Sequence, residues 1–298
     1  MPFVIHANLD AEARWAGGAL PARVAERVSY YAALAAFLAH GELSGDDVEV
    51  WVPAAIDERR LTFAAGIYTG APPEADLVWA PEAAKAANDR RLATRLAAEA
   101  GIGVPGARAI ASVDEIDLPG PWVAKAPWTT AGRDRCHGDG APTGEQRTRL
   151  SRLLAQFGSL VLEPWLPRAF DVGVCAMAIP GLGQVSPPHG LTTDARGTFL
   201  GIDLAPPPLT DEHRARLDAF VRAVRDQLPY AGPIAVDGFV TADGQLCVCE
   251  INARFSFGWV ARALARRHGI EKLGFSAPPP GAHVLVEPRG DGICAWMM

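Results

Sequence analysis

Cys249-Glu250-Ile251-Asn252-Ala253-Arg254 ends an apolar run and decides how the C-terminal half of this chain is read. Another apolar run, 234–240, precedes it, and Asp243-Gly244 lies between the two. An Asp-Gly pair between apolar runs marks a hairpin, in its simplest form one with a two-residue turn. Asp237 and Glu250 are equidistant from that turn, so they are expected directly opposite each other on adjacent strands. Their Cβ atoms would then stand roughly 4.5 to 5.5 Å apart, where two like charges destabilise a sheet unless a cation neutralises them. Alternation sends Glu250 and Asn252 to one face and Cys247, Cys249 and Ile251 to the other. Two carboxylates and an amide oxygen are hard donors suited to Mg²⁺ carrying a nucleotide's phosphates. An exposed acidic hairpin with chance spacing is the plainer alternative.

The 298 residues, 49% of them hydrophobic, suffice for two or three closely packed lobes. A formal net charge of −6 excludes the basic footprint of a nucleic-acid binder. Met1-Pro2-Phe3-Val4-Ile5 has no basic segment ahead of an apolar one, and no uncharged stretch approaches the roughly 20 residues of a membrane helix. Neither nucleic acid nor membrane is expected as a partner, and a cytoplasmic location is. The five cysteines, Cys136, Cys175, Cys247, Cys249 and Cys294, form no Cys-x-x-Cys pair and are read as reduced. Lysine occurs only at Lys85, Lys125 and Lys272 in a chain that otherwise uses arginine. Lys125, placed in the apolar run 121–125, therefore suggests a need for a compact ammonium.

Strands are expected over Phe3–Asn8, Val48–Val52 and Asp76–Ala80, with a helix over Arg23–His40 ending at Gly41: a small α/β unit with parallel pairing. Asn88 is expected to cap a helix running to Glu99 and stopping at Gly101. Trp122–Ala126 reads as a strand followed by a small polar loop that could offer backbone N–H groups to phosphate. A helix over Thr143–Phe157 leads to a strand at 160–164. Further strands are expected at Val172–Ile179 and Thr198–Leu204, an amphipathic helix at Thr210–Gln227, a helix at Trp259–His268 and a closing pair at Val284–Glu287 and Ile293–Met297. Ranges 1–85, 86–160 and 161–298 are the expected domains.

Glu250-Ile251-Asn252-Ala253-Arg254 resembles the Glu-x-Asn-x-Arg metal motif of the ATP-grasp superfamily. The stretch from Asn88-Asp89-Arg90 to Val104-Pro105 resembles that superfamily's Asp-Lys helix and its exit, with Arg90 where the lysine usually stands. The resemblance implies two α+β lobes clamping ATP behind a small α/β N-terminal domain, and it carries roles to particular positions. Asp237, Glu250 and Asn252 would hold Mg²⁺, or Mn²⁺ on the same donors. Lys125 and Arg90 would contact phosphates under a cover formed by Thr129, Thr130 and Gly132. Glu163, Trp165 and Leu166 would border the adenine, and Asp171 the ribose, although Asp171 could equally be a partner of Arg168. Arg254 would act with Lys125 on the transferred phosphate. The implied activity is an ADP-forming ligase joining a carboxylate to an amine, of amino acids or peptides, through an acyl phosphate; a homodimer is compatible with it. A carboxylase or kinase on the same fold, or a nucleotide-binding regulatory protein without turnover, are the alternatives. His189 and Arg196 are candidates for holding a substrate carboxylate.

Overall fold

A computed structural model describes residues 3–7, 9–39, 48–70, 81–128, 134–179, 185–228 and 230–298. Near the N-terminus, β1 (Phe3–Ile5) is followed by α1 (Ala11–Trp15), α2 (Ala22–Ala33), β2 (Val48–Trp51) and β3 (Gly66–Tyr68). The strands form a parallel sheet in the order β1-β2-β3. The long helix expected from Arg23 is shorter, because its last turn tightens into a 3₁₀ segment at Leu34–Leu38. Both α1 and β3 escaped the sequence pattern: five and three residues are too few for periodicity to show. Asn8, His40, Gly41 and the strand expected at Asp76–Ala80 lie outside the described residues.

The next elements are α3 (Pro81–Ala87), α4 (Arg90–Glu99), β4 (Arg108–Ile110), β5 (Pro121–Lys125), β6 (Arg135–Asp139), α5 (Gly144–Phe157) and β7 (Leu160–Pro164). Their sheet is antiparallel, in the order β4-β7-β5-β6. Helix α5 starts at a capping box between Thr143 and Gln146 and buries Leu150 and Leu153 against Trp122, Leu160 and Leu162. At α4 the cap is Asp89, not the expected Asn88; the Asp89 carboxylate accepts from the Arg91 N–H at 2.9 Å.

The third group is β8 (Arg168–Ala178), β9 (His189–Thr193), β10 (Phe199–Asp203), α6 (Asp211–Gln227), β11 (Gly232–Thr241), β12 (Leu246–Asn252), α7 (Phe257–His268), β13 (Lys272–Gly274), β14 (His283–Val286) and β15 (Ala295–Met297). One sheet takes all eight strands, in the order β12-β11-β8-β9-β10-β13-β15-β14. Helix α6 packs Leu217, Phe220 and Val224 on one face of it, and α4 shares that core through Ala93 and Leu96. The start of α4 is thereby brought to the end of β12.

The β11–β12 hairpin departs from the two-residue turn. Thr241 N–H donates to Gln245 O at 2.9 Å, so the loop holds three residues, Ala242-Asp243-Gly244, with Gly244 at φ +88°. Thr241 Oγ1 fixes this wider loop by donating to Asp243 and accepting from the Gln245 N–H. Pairing next to the loop is displaced by one residue, so that Gly238 opposes Val248. A bulge then absorbs Cys249 and restores the offset, and Asp237 does oppose Glu250. The bulge also overturns one facing expectation. Leu246, Val248 and Ile251 enter the α6 core, whereas Cys249 lies with Cys247 and Phe239 on the other face, the face of Asp237.

The C-terminal strands are fastened to the N-terminal unit by Arg60. Its Nε donates to Glu287 O at 2.9 Å, Nη1 to Asp291 Oδ2 at 2.7 Å and Nη2 to Ile293 O at 3.0 Å.

Candidate active site

Asp237 is half-buried and pairs across strands with Glu250 on one side and Gly173 on the other. Burial, then the neighbouring Glu250 carboxylate, push its pKa up to about 7. Asn252 Nδ2 donates to Asp237 Oδ2 at 2.8 Å, so the three expected metal donors meet on one face. All are oxygen donors, and the charge crowding at Asp237 is what a divalent cation would relieve. Among the described residues no group of three or more His, Cys, Asp or Glu side chains forms a metal centre by itself. A cation held by these donors would be completed by phosphate oxygens.

Cationic side chains on neighbouring elements pair with carboxylates in this region. Arg90, the first residue of α4, donates from Nη2 to Glu250 Oε1 at 2.6 Å and from Nη1 to Ala126 O at 3.2 Å. Asn88, displaced from its expected cap, anchors the same helix start: its Oδ1 accepts from the Ala253 N–H at 3.1 Å. Lys125 donates to Glu163 Oε2 at 2.6 Å, which joins two residues that the sequence assigned to different parts of a nucleotide. Arg168 donates to Asp171 Oδ1 at 2.7 Å, and Thr193 Oγ1 donates to Asp171 Oδ2 at 2.6 Å. The Arg168 partnership of Asp171 is therefore present in the structure. Arg254 is half-buried and donates from Nε and Nη2 to Glu12 Oε1 at 3.1 and 2.9 Å. Burial, the largest influence, would lower the Arg254 pKa; the carboxylates of Glu12, Glu250 and Asp237 together raise it. Glu12 sits on α1, and sequence reasoning missed it.

An open cleft of about 420 Å³ adjoins the site, lined by Arg135, His137, Arg149, Trp165, Ala195 and Arg196. Trp165 meets the edge of His137 at 4.8 Å between centroids and the Arg168 guanidinium at 4.7 Å. Arg135 bridges to the loop before β10, donating to Gly197 O at 3.3 Å and Thr198 Oγ1 at 3.4 Å. Burial lowers the pKa values of Arg135 and His137, and for His137 neighbouring Arg135 adds to the effect. The sequence signal for these two was the alternation Arg135-Cys136-His137, which puts both on the face opposite Cys136. Leu166 packs beside Val104, Phe239 and Cys247. The structure separates His189 from Arg196: Arg196 lines the cleft, while His189 is 2% exposed behind Gly173. Burial pushes the His189 imidazole down to about 3. The expected phosphate cover, Thr129, Thr130 and Gly132, lies outside the described residues.

No family model and no curated protein matches this sequence. Solved structures do. An ADP complex of N5-carboxyaminoimidazole ribonucleotide synthetase shares 18% identity with a TM-score of 0.51, over 78% of this chain and 69% of that one. The biotin carboxylase domain of 2-oxoglutarate carboxylase from Hydrogenobacter thermophilus, with MgADP, ADP and bicarbonate, shares 16% at a TM-score of 0.50, over 74% and 63%. N5-carboxyaminoimidazole synthetase from Staphylococcus aureus shares 16% at 0.48, over 71% of this chain but 55% of that one, so this chain spans about half its length. The first two likenesses show the fold alone, and it is the ATP-grasp fold expected from the Glu-x-Asn-x-Arg motif.

Proposed function

We propose that this protein is an ATP-dependent, ADP-forming ligase that joins a carboxylate to an amine of amino-acid or peptide type. The observation that carries the proposal is the convergence of Asp237, Glu250 and Asn252 on one face, with Arg90 and Arg254 on either side. Mg²⁺ held there would neutralise phosphate charge; the chain's own part is to position and to stabilise. Arg254 meets the charge that spreads over the γ-phosphoryl oxygens as a substrate carboxylate attacks, and Lys125 meets the remaining phosphates. Attack on the γ-phosphorus releases ADP and yields an acyl phosphate; an amine then attacks its acyl carbon, forming the amide and releasing phosphate. Trp165 and Glu163 border the nucleotide base, and the basic cleft gathers the anionic reactants. Nucleotide complexes among the structural neighbours support this reading.

A second reading, a nucleotide-binding protein without turnover, is favoured by one observation. Arg90, Lys125 and Arg254 are each already paired with a carboxylate. Hydroxylamine trapping with a panel of carboxylates decides between the two. The ligase gives a hydroxamate together with ADP and phosphate, and a non-catalytic binder gives neither. AMP and pyrophosphate as products would remove both the acyl-phosphate route and the ATP-grasp ligase assignment.

A further inference from the structure

Four adjacent strands carry one cross-strand row: Glu250 on β12, Asp237 on β11, Gly173 on β8 and His189 on β9. Residues in such a row share a face of the sheet. The third has no side chain, and the fourth fills the gap. A Cβ on Gly173 would stand 2.7 Å from His189 Nε2 and 3.2 Å from Asp237 Oδ1. A Cβ on Gly258, at the start of α7, would also stand 2.7 Å from Nε2. Two glycines thus leave room for the imidazole to lean along the row toward the Asp237 carboxylate, the kind of close approach for which a strand keeps a glycine.

The other ring nitrogen fixes where the proton sits. Arg262 Nη2 lies 3.5 Å from His189 Nδ1, and an arginine only donates. Nδ1 is therefore the acceptor, and the neutral ring carries its proton on Nε2, at the Asp237 end. Cys175 Sγ and Asp237 Oδ1 compete to receive it, since Sγ would lie 2.8 Å from the same Cβ on Gly258. Burial pushes the Cys175 thiol up to about 12, so it stays neutral and is the weaker acceptor. On Asp237, Asn252 already donates to Oδ2, and Oδ1 is the oxygen on the Gly173 side.

We propose that His189 is a positioning residue whose Nε2–H donates to Asp237 Oδ1, directly or through one water, when a divalent cation holds that carboxylate ionised. The inference rests on the reading of Asp237 as a metal ligand. A neutral donor suits this task, because it sets the direction of one oxygen without bringing a positive charge against the cation.

Mn²⁺ binding in the presence of ADP, followed by electron paramagnetic resonance on the full-length protein, tests this without turnover. His189→Met removes the donor at similar bulk and should weaken Mn²⁺ binding by about tenfold or more, with metal-free ADP affinity unchanged. His189→Gln, whose amide nitrogen can take the place of Nε2, should stay within about threefold of wild type. A second measurement uses wild-type protein: the nitrogen NMR resonance of His189 Nε2, identified by its proton's contacts to Gly258, should shift when Mg·ADP is added and keep its bonded proton. Wild-type Mn²⁺ affinity in His189→Met, equal loss in His189→Gln, or an Nε2 resonance that does not move overturns the inference. If His189→Met does not fold, the resonance decides. Wild-type Mn²⁺ affinity in Asp237→Asn removes the metal assignment itself and this inference with it, whereas weakened binding in Asp237→Asn beside unchanged binding in His189→Met removes the role of His189 alone.

Discussion

Asp237 and Glu250 face each other as like charges, yet their neutralisation has opposite consequences. The pKa of Asp237 is raised from 3.8 to about 7, burial first and Glu250 second. A raised folded-state value means that the stabilising contribution is full below about 3.8 and is lost as pH rises through about 7. Metal-free protein should therefore lose stability between pH 5 and pH 8, and Asp237→Asn should flatten that slope and be the more stable protein at pH 8. Glu250 has Arg90 at 2.6 Å, whose side chain is 8% exposed, so Glu250→Gln weakens the partner of a buried guanidinium and should cost about 2 kcal/mol. Both variants should lose Mg²⁺-dependent turnover. Urea denaturation across this pH range checks the signs, and a flat wild-type profile would remove the assigned electrostatics. The pairing of Asp237 with Glu250 was legible in sequence because the two lie close together along the chain. Glu12 was not: its bond to Arg254 spans 242 positions, and nothing in a five-residue helix marks it.

Among elements, the hairpin shows how a correct pairing can follow from an incorrect turn. The Asp-Gly signal located the loop but not its length, because Thr241 and Asp243 hold a wider loop through side-chain bonds that no local propensity encodes. The bulge at Cys249 cancels the displacement, and only the facing of Cys247 and Cys249 exposes the difference. Strands β5 and β7 carry a second test. Lys125 and Glu163 sit 13% and 3% exposed and bridge them at 2.6 Å. Lys125→Ala leaves an uncompensated buried carboxylate and should cost about 3 to 5 kcal/mol as well as ATP affinity. The double variant Lys125→Met with Glu163→Gln should recover most of the stability and none of the ATP affinity, since an apolar replacement for a buried pair is close to neutral. Calorimetric titration beside thermal denaturation separates the two effects. Full ATP binding in the double variant would assign the pair to structure alone.

On the scale of the whole molecule, the parallel pairing of the N-terminal unit and the hairpin that carries Asp237 and Glu250 were anticipated, but the grouping of the remaining strands into an antiparallel four-stranded sheet and a sheet of eight was not. What the sequence did not disclose is that β9, β13 and the closing strands extend the last sheet to eight. Nor did it disclose how Arg60, 2% exposed, ties the N-terminal unit to the chain's end. Short strands and lone arginines leave no periodic trace. Arg60→Ala should destabilise the protein by about 3 kcal/mol and expose the N-terminal unit to protease before the remainder. Limited proteolysis followed by mass spectrometry locates the first cut, and a first cut within β11 or β12 would count against this fastening. The same fastening has a consequence for synthesis on the ribosome. Arg60 emerges early, but its partners Asp291 and Ile293 follow 231 and 233 positions later. The N-terminal unit thus waits, without this fastening, until those residues emerge, and Glu12 likewise waits for Arg254, 242 positions further on.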